Sequence, residues 1–253
     1  MSKIIALANQ KGGVGKSTTA INLSAALAEM RKKVLTVDID PQGNTTSGLG
    51  LEKDGAENSV YELISGSCEA KDCIVELKKY HHIIPSNINL AGAEIELTEY
   101  DDTAYRLKNA ILEIKEDYDY IIIDCPPSLG QLTVNAMTAA DSILIPIQCE
   151  YYALEGLAQI LNTIELVKNG LNPDLKIEGV VFTMFDVRNK LSGQVVENVR
   201  ANLDEYIFNT VIPRNVRLAE APSYGIPINE YDRLSVGARR YKKLARELVK
   251  KEG

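Results

Sequence analysis

The sequence is poor in the residues that mark secreted, metal-rich and membrane-bound proteins. It contains no Trp, only two His and only four Cys, and no two cysteines form a CxxC pair. His81 and His82 have no Cys or His partner nearby, so no typical metal-binding cluster is present. The apolar run at the N-terminus is too short for a secretory signal or a membrane span. We therefore expect a cytoplasmic protein with four free thiols and no membrane partner.

The chain also lacks an excess of basic residues. Its formal net charge is -7 and its pI is about 5.1. This acidity argues against a basic coat for nucleic acid over the whole surface, but it leaves room for a local basic patch. The 253 residues are 45% hydrophobic, which is enough for one large core. We expect a single domain over residues 1–253.

Apolar segments of strand length alternate with segments of helical periodicity. Predicted strands lie at 4–8, 33–38, 120–123, 142–147 and 177–183, and predicted helices at 18–30, 103–116, 132–140, 150–170 and 197–206. Continuous apolar strands between helices are typical of a parallel sheet that is covered on both faces. The sequence thus predicts an α/β fold with one doubly wound, mostly parallel sheet. Residues 45–100 fit this alternation poorly, and we expect a lid-like or partner-facing insertion there.

A glycine-rich stretch separates the first predicted strand from the first predicted helix. Strand, loop and helix in this order are the setting of a phosphate-binding loop. Its glycines allow successive N–H groups to curl around an anion. Lys16 can then reach the β- and γ-phosphates, and the Ser17 hydroxyl can ligate Mg²⁺. The loop deviates from the usual pattern, because Gln10 stands where the first glycine is expected. The candidate phosphate-binding residues are Gly12, Gly13, Val14, Gly15, Lys16, Ser17 and Thr18.

A second lysine, Lys11, precedes the glycines of this loop. Lys16 already serves the phosphates of its own chain. Lys11 can therefore reach a nucleotide held by a second copy of the chain, or it can be a solvated surface lysine. The local sequence does not decide between these two interpretations.

Carboxylates follow two of the predicted strands. Open α/β sheets place their ligands at the carboxyl ends of the strands. Asp40 is predicted to orient the water that attacks a γ-phosphate, because phosphoryl transfer needs mostly positioning and charge stabilisation. Asp124, after three isoleucines, has the Walker B pattern and is predicted to hold Mg²⁺. Asp38 either joins the Mg²⁺ shell or begins the turn at Pro41.

Several stretches resemble the ParA/MinD group of P-loop ATPases. The deviant Walker A motif of that group is similar to residues 11–18, and its ParA-side turn is similar to Asp38-Ile39-Asp40-Pro41-Gln42-Gly43-Asn44. Residues 124–127 resemble its DxPP switch, and residues 212–222 resemble its IPRNxxLxEAP block. The resemblance extends from residue 3 to residue 222, nearly the whole chain. The resemblance implies an ATP- and Mg²⁺-dependent partition ATPase in which Lys11 crosses an ATP-sandwiched homodimer and Asp40 supports hydrolysis.

The resemblance also implies ligand and partner sites outside the loop. Pro213 and Asn215 are expected to flank the adenine, and Arg188 and Arg217 to contact DNA as in Soj-like members of the group. The expected partners are non-specific DNA and a ParB-like protein that stimulates a slow hydrolysis. The cell location implied is the nucleoid.

The basic C-terminus leaves alternatives open. From Ser235 onward, seven Lys and Arg residues face two Glu, while apolar residues recur near one face. The segment is a docked helix with a solvated basic face, part of a phosphate-binding patch, or a membrane-surface helix. The last is typical of a MinD-like positioning ATPase, our alternative function, but the tail lacks Trp and Phe. An electron-transfer ATPase would need a cluster-binding cysteine pair in a glycine-rich context, and a purely DNA-binding module would not need phosphate chemistry.

Overall fold

A computed structural model of the chain describes residues 2–53, 58–97, 101–150 and 153–252. Its strands are β1 (Lys3–Leu7), β2 (Val34–Asp38), β3 (Val75–Lys78), β4 (His81–Ile84), β5 (Tyr120–Asp124), β6 (Ser142–Gln148) and β7 (Lys176–Thr183). They form one seven-stranded sheet in the order β3-β4-β2-β5-β1-β6-β7. Neighbouring strands are parallel, except that β3 and β4 form an antiparallel hairpin at one edge.

Helices connect most of these strands. They are α1 (Lys16–Glu29), α2 (Asn44–Gly48), α3 (Val60–Ser65), α4 (Leu90–Glu96), α5 (Arg106–Leu112), α6 (Gln131–Ala139), α7 (Ala153–Gly170), α8 (Lys190–Asn202), α9 (Val216–Glu220), α10 (Ile228–Tyr231) and α11 (Val236–Glu252). The predicted start of α7 includes residues 151 and 152, which lie outside the described part. Within the described residues, no helix combines the length and apolar character needed to span a bilayer.

The sheet separates two apolar cores. Because side chains of a strand alternate between faces, Ile4 and Ala6 of β1 join one core while Ile5 and Leu7 join the other. The first core packs against α3, α5, α6 and α7, and the second against α1 and α11. Burial on both faces explains why these strands are uniformly apolar. The doubly wound, mostly parallel sheet predicted from the sequence is confirmed.

The strand order brings three chain turns to one place. In the sheet β5 lies between β1 and β2, and Asp124 is in register with both Leu7 and Asp38. The loops that follow these strands therefore leave the same edge side by side.

The expectation of an insertion at residues 45–100 is wrong for the described residues. His81–Ile84 forms β4, which pairs with β2 inside the sheet, and Val60, Leu63 and Ile64 are buried in the first core. The elements in this region are only four to seven residues long. Such short elements give little periodicity, so their contribution to the core was hidden in the sequence.

The expectation of four free cysteines is also wrong. Cys68 and Cys73 form a disulfide, whereas Cys125 and Cys149 are free and buried. A 3₁₀ turn at Ala70–Cys73 folds the chain back after α3. That local turn, which sequence spacing alone does not reveal, brings the two sulfurs together.

Candidate functional site

The glycine-rich loop forms a concave turn between β1 and α1. Gly13 and Gly15 adopt left-handed φ values of 74° and 85°, which residues with a Cβ resist. Gly15 is the N-cap of α1, and neither a capping side chain nor an acidic residue covers the first turn of this helix. Free N–H groups and the positive end of the helix dipole therefore face the cavity beside the loop. This geometry favours an anion such as a phosphate.

Lys16 supplies the positive charge of the cavity. Lys16 is only 6% exposed, and its Nζ donates a hydrogen bond of 3.4 Å to the carbonyl oxygen of Lys11. Burial lowers the pKa of Lys16, while the negative charge of Asp124 opposes this effect. A buried ammonium beside an anion-binding loop is poised to contact a phosphate, because little water screens it.

Asp124 is buried with an unsatisfied oxygen. Its Oδ2 accepts a hydrogen bond of 2.7 Å from Thr45 Oγ1, whereas Oδ1 has no hydrogen-bond partner among the described residues. Burial raises the pKa of Asp124 to about 6. Hydrogen bonds from the hydroxyls of Ser17 and Thr45 lower this pKa but do not cancel the effect of burial. A buried carboxylate oxygen without a partner, next to a serine hydroxyl, fits the oxygen ligands that Mg²⁺ prefers.

Both oxygens of Asp38 are already occupied. Oδ2 accepts hydrogen bonds of 2.7 Å from the backbone N and from Oγ1 of Thr46, and Oδ1 accepts one of 3.2 Å from Asp40 N. Burial, followed by the charge of Asp124, raises the pKa of Asp38 to about 7. Of the two roles left open by the sequence, these contacts favour the support of the turn.

Asp40 lies at the wall of the cavity with one oxygen engaged. Its Oδ1 accepts a hydrogen bond of 2.9 Å from Gln42 N, and its carbonyl oxygen accepts one of 2.7 Å from Ser86 Oγ. These bonds fix both the backbone and the carboxylate of a residue that is 4% exposed. The position suits a carboxylate that has to hold a water molecule in a fixed direction.

The loop, Lys16 and Asp40 border one cavity of about 380 Å³. It is lined by Gly12, Gly13, Gly15, Lys16, Ser17, Thr18, Ile21, Asp40, Asn44, Ser47, Pro127, Met184 and Pro222. Val14 is buried behind the loop, where its carbonyl oxygen accepts a hydrogen bond from Thr183 Oγ1. The loop, Lys16 and Asp40 are therefore brought together as predicted.

A second cavity of about 250 Å³ adjoins the first and shares Gly15, Thr18 and Met184 with it. Pro213 and Asn215 lie on its wall, at the position expected for a base-binding pocket. Asn215 also caps α9, because its Oδ1 accepts a hydrogen bond from Leu218 N. The two cavities provide adjoining spaces for a phosphate chain and an apolar ring.

Lys11 lies at the rim and is half-exposed. Its Nζ forms an ion pair of 3.3 Å with Glu150 Oε2, and Glu150 also accepts a hydrogen bond from Gln148. The side chain of Lys11 is thus engaged with Glu150. Both interpretations of this lysine remain compatible with its position.

The two predicted DNA-binding arginines are exposed, but each is held by a carboxylate. Arg188 donates to both oxygens of Asp186, over 3.0 and 2.9 Å. Arg217 donates to Glu220 over 2.9 Å and lies 3.7 Å from Asp232. Neither arginine lines the two cavities, and the neighbouring carboxylates partly neutralise both guanidinium charges.

Sequence reasoning missed the residues that hold the carboxylates in place. Thr45 donates to Asp124, and Ser86 holds the backbone of Asp40. These bonds link residues that are 79 and 46 positions apart in the chain. Of this supporting set, only the threonines directly after the Asp40 turn could have been found from their place in the sequence.

A tyrosine of the last helix was missed as well. Tyr241 of α11 lines the second cavity and shares a hydrogen bond of 3.1 Å with Thr19 of α1. The two residues are 222 positions apart, so no local pattern connects them. The C-terminal helix thus contributes to the wall of the site.

The sheet order and the loop at the end of β1 define a P-loop nucleotide-binding fold. A family model described as an AAA domain matches residues 2–177. The chain is 56% identical to the sporulation initiation inhibitor protein Soj of Bacillus subtilis, over 98% of this chain and 99% of that protein. It is 52% identical to the chromosome partitioning protein ParA of Myxococcus xanthus, over 100% of this chain and 89% of that protein. The chain belongs to the Soj/ParA family of chromosome-partitioning ATPases.

Solved structures agree with this assignment. The chain superposes with a TM-score of 0.87 and 38% identity on a Mycobacterium smegmatis protein described as cobyrinic acid a,c-diamide synthase with bound ADP and magnesium. That match covers 99% of this chain and 95% of the other. The cell division ATPase MinD of Pyrococcus furiosus gives a TM-score of 0.82 and 28% identity, covering 100% of both chains. The fold of this chain is thus shared with these two proteins.

Proposed function

We propose that this chain, as one ATPase domain, is an ATP-dependent switch for DNA partition. The observation that carries the proposal is one cavity that joins the glycine-rich loop, the buried Lys16 and Asp40, next to the unsatisfied oxygen of Asp124. The loop and Lys16 suit a phosphate chain, the free oxygen of Asp124 suits a metal ion, and the carboxylate of Asp40 suits a bound water molecule. Relatives named for chromosome partitioning and a related structure with bound ADP and magnesium support the same function.

ATP is the nucleotide proposed for the two adjoining cavities. The loop N–H groups and Lys16 bind the β- and γ-phosphates, while Pro213 and Asn215 flank the adenine. Ser17 and Asp124 would hold Mg²⁺, and Asp38 supports them by fixing Thr46. When bound, Mg²⁺ neutralises charge on the phosphate oxygens.

Hydrolysis is proposed to be slow in the isolated chain. Asp40 orients the attacking water, and Lys16 stabilises negative charge on the transferring group. Among the residues that line the first cavity, within the described part of the chain, there is no arginine. An arginine finger contributes about 10³–10⁵ in rate where it is present. Stimulation by a ParB-like partner and by DNA would therefore raise a weak basal turnover.

Lys11 is proposed to complete the site of a second chain in an ATP-dependent homodimer. Its side chain is half-exposed and forms an exposed ion pair with Glu150, which is worth at most about 1 kcal/mol. The homodimer binds non-specific DNA through Arg188 and Arg217 on the nucleoid, and hydrolysis releases it. Dimerisation favours binding because it doubles the number of phosphate contacts.

Nucleotide titration combined with sedimentation velocity tests this assignment. Lys16→Ala should weaken ATP binding by about 10- to 100-fold, because it removes a charge-assisted hydrogen bond to phosphate. Lys11→Ala should keep the affinity for ATP but remain a monomer in ATP–Mg²⁺. Lys71→Ala, which changes an exposed lysine far from the cavity, is the matched control.

Two outcomes would contradict the assignment. If Lys16→Ala binds ATP as well as the control variant does, the nucleotide site lies elsewhere. If Lys11→Ala forms the ATP-dependent dimer normally, Lys11 does not act in a second chain.

A further inference from the structure

Helix α11 is anchored by a continuous apolar face. Tyr241, Leu244 and Leu248 are no more than 1% exposed and pack against α1 and the sheet. Tyr241 also bonds to Thr19 in α1. The helix is therefore a fixed part of the fold, and its orientation determines which side chains face the solvent.

Four cations occupy the opposite face of α11. Arg239, Lys243, Arg246 and Lys250 are spaced four, three and four residues apart and are all exposed. At 100° per residue they lie within about 60° of arc, along roughly 16 Å of helix. We call this set the basic stripe. None of its members makes an ion pair within the described residues.

Two other basic residues of the same helix form ion pairs with the rest of the chain. Lys242 pairs with Glu29 over 3.2 Å, and Lys251 pairs with the buried Glu178 over 2.7 Å. The contrast shows that carboxylates are within reach of the flanks of α11 but not of the stripe. The charge of the stripe is therefore not compensated by the described residues of its own chain.

The acid that lies among the stripe residues in the sequence is turned into the fold. Glu247 accepts hydrogen bonds from Tyr206 Oη over 3.1 Å and from both N and Oγ1 of Thr210, over 3.0 and 2.6 Å. Asn209 N is a further donor to the same carboxylate. These donors hold the negative charge against the segment that follows α8 and away from the solvent face. Glu247 therefore does little to neutralise the positive charge of the basic stripe.

Arg188 and Arg217 differ from the stripe in this respect. Each is already paired with a carboxylate of its own chain. The negative charge of that carboxylate opposes an approaching phosphate, so the net gain is smaller than at an uncompensated cation. The start of α11 lies close to Arg217, because Gly237 packs against Leu218 of α9.

We infer that the basic stripe is the main surface on which this chain contacts the phosphates of duplex DNA. This inference rests on the proposed function and names a surface beyond Arg188 and Arg217. One strand of B-DNA carries a phosphate about every 3.4 Å of axis, so roughly 16 Å of helix passes four to five phosphates. Four uncompensated cations over that length match this density. Contacts with phosphates depend on charge and do not discriminate between base sequences.

The same stripe would also attract an anionic membrane, but the other face of α11 favours DNA. Membrane-surface helices insert their apolar face among the lipid chains. In α11 that face is occupied by α1 and the sheet. Insertion would require the helix to leave the core, whereas DNA phosphates need only the exposed cations.

The test compares two double variants in an Asp40→Ala background, where ATP is not consumed. Lys243→Ala with Arg246→Ala removes two charges from the stripe. Lys71→Ala with Lys79→Ala removes two charges from exposed lysines beside β3 and is the matched control. Binding to random-sequence duplex DNA and to phosphatidylglycerol vesicles is measured in ATP–Mg²⁺ over a salt series, with thermal unfolding as the check of folding.

The stripe variant should bind DNA at least about tenfold more weakly near about 0.1 M salt, and its log–log salt slope should flatten by about 0.9 for each phosphate that it no longer neutralises. The control pair and Arg188→Ala should weaken binding less. If the parent does not bind DNA in ATP, the proposed function fails. If the parent binds and the stripe variant binds equally well, the stripe is not the surface. Loss of vesicle binding with unchanged DNA binding would also overturn the inference in favour of a membrane.

Discussion

Burial affects the three carboxylates of the site in different ways. Asp124 keeps one oxygen without a partner among the described residues, Asp38 has both oxygens filled by hydrogen bonds, and Asp40 is fixed at the cavity wall. Unpaired buried oxygens cost free energy unless a ligand satisfies them. Asp124 can thus accept a ligand, Asp38 holds the turn in place, and Asp40 presents a fixed carboxylate at the cavity wall.

Protonation of His81 provides a prediction for a single residue. His81 is 4% exposed and shares a hydrogen bond of 2.9 Å with Thr36 Oγ1. Burial, assisted by the charges of His82 and Lys78, lowers the pKa of His81 to about 4. The unfolded chain takes up this proton near pH 6.5 while the folded chain does not, so stability is lost as the pH falls from 6.5 to 4.

The expected loss is about 3 kcal/mol, from about 1.36 kcal/mol for each pH unit in that window. His81→Gln should be less stable than the parent at pH 7 but should lose less stability on acidification. Urea unfolding at about pH 7, 6, 5 and 4 measures both. Parallel pH profiles for parent and variant would contradict the assigned burial of a neutral imidazole.

At the scale of elements, an ionic cluster ties the end of α11 to the sheet. Glu178 of β7 is 1% exposed and contacts Lys3 of β1, Lys251 of α11 and Ser142 of β6, all within 2.7 Å. Burial alone would raise the pKa of Glu178, but the hydrogen bonds from its two lysines and Ser142 lower it. The carboxylate is therefore charged and well compensated.

Glu178→Gln should destabilise the fold by about 3 kcal/mol, because it leaves two partly buried ammonium groups without their counter-ion. Glu165→Gln, which removes an exposed ion pair with Lys168, should cost less than about 1 kcal/mol. Thermal and urea unfolding of both variants measure the difference. Equal effects would mean that the cluster does not anchor α11.

Several elements could be predicted from local sequence because local chemistry determines them. The glycines before Lys16 and the three isoleucines before Asp124 predicted a loop and a strand end. The start of α8 at Lys190 was missed, and so was the place of β4 inside the sheet. The place of β4 depends on pairing between distant segments, which a single sequence does not display.

The same distinction applies to the candidate site. The residues that would touch phosphate follow from their spacing, whereas those that position them do not. Thr45 reaches Asp124 across 79 residues of sequence, and Ser86 reaches Asp40 across 46. The carboxylates that hold the two predicted DNA-binding arginines were also invisible until the fold was known.

On the scale of the whole molecule, α1 and α11 connect the proposed nucleotide cavity with the basic stripe. α1 begins at the phosphate loop, and α11 packs along it while Tyr241 reaches the second cavity. A ligand changes a binding equilibrium only by as much as it favours one state over another. In the proposed mechanism, ATP would favour a dimer, and this dimer would present two copies of the basic stripe to one DNA duplex.

The most direct test of this account is co-sedimentation of Asp40→Ala with non-specific duplex DNA, in ATP–Mg²⁺ and in ADP–Mg²⁺. The variant should retain ATP and remain a dimer, so we expect DNA binding in ATP only, with a log–log salt slope of roughly -4 to -5 for about four to six phosphate contacts. Equal binding in both nucleotides, or no binding in either, would contradict a nucleotide-gated DNA switch.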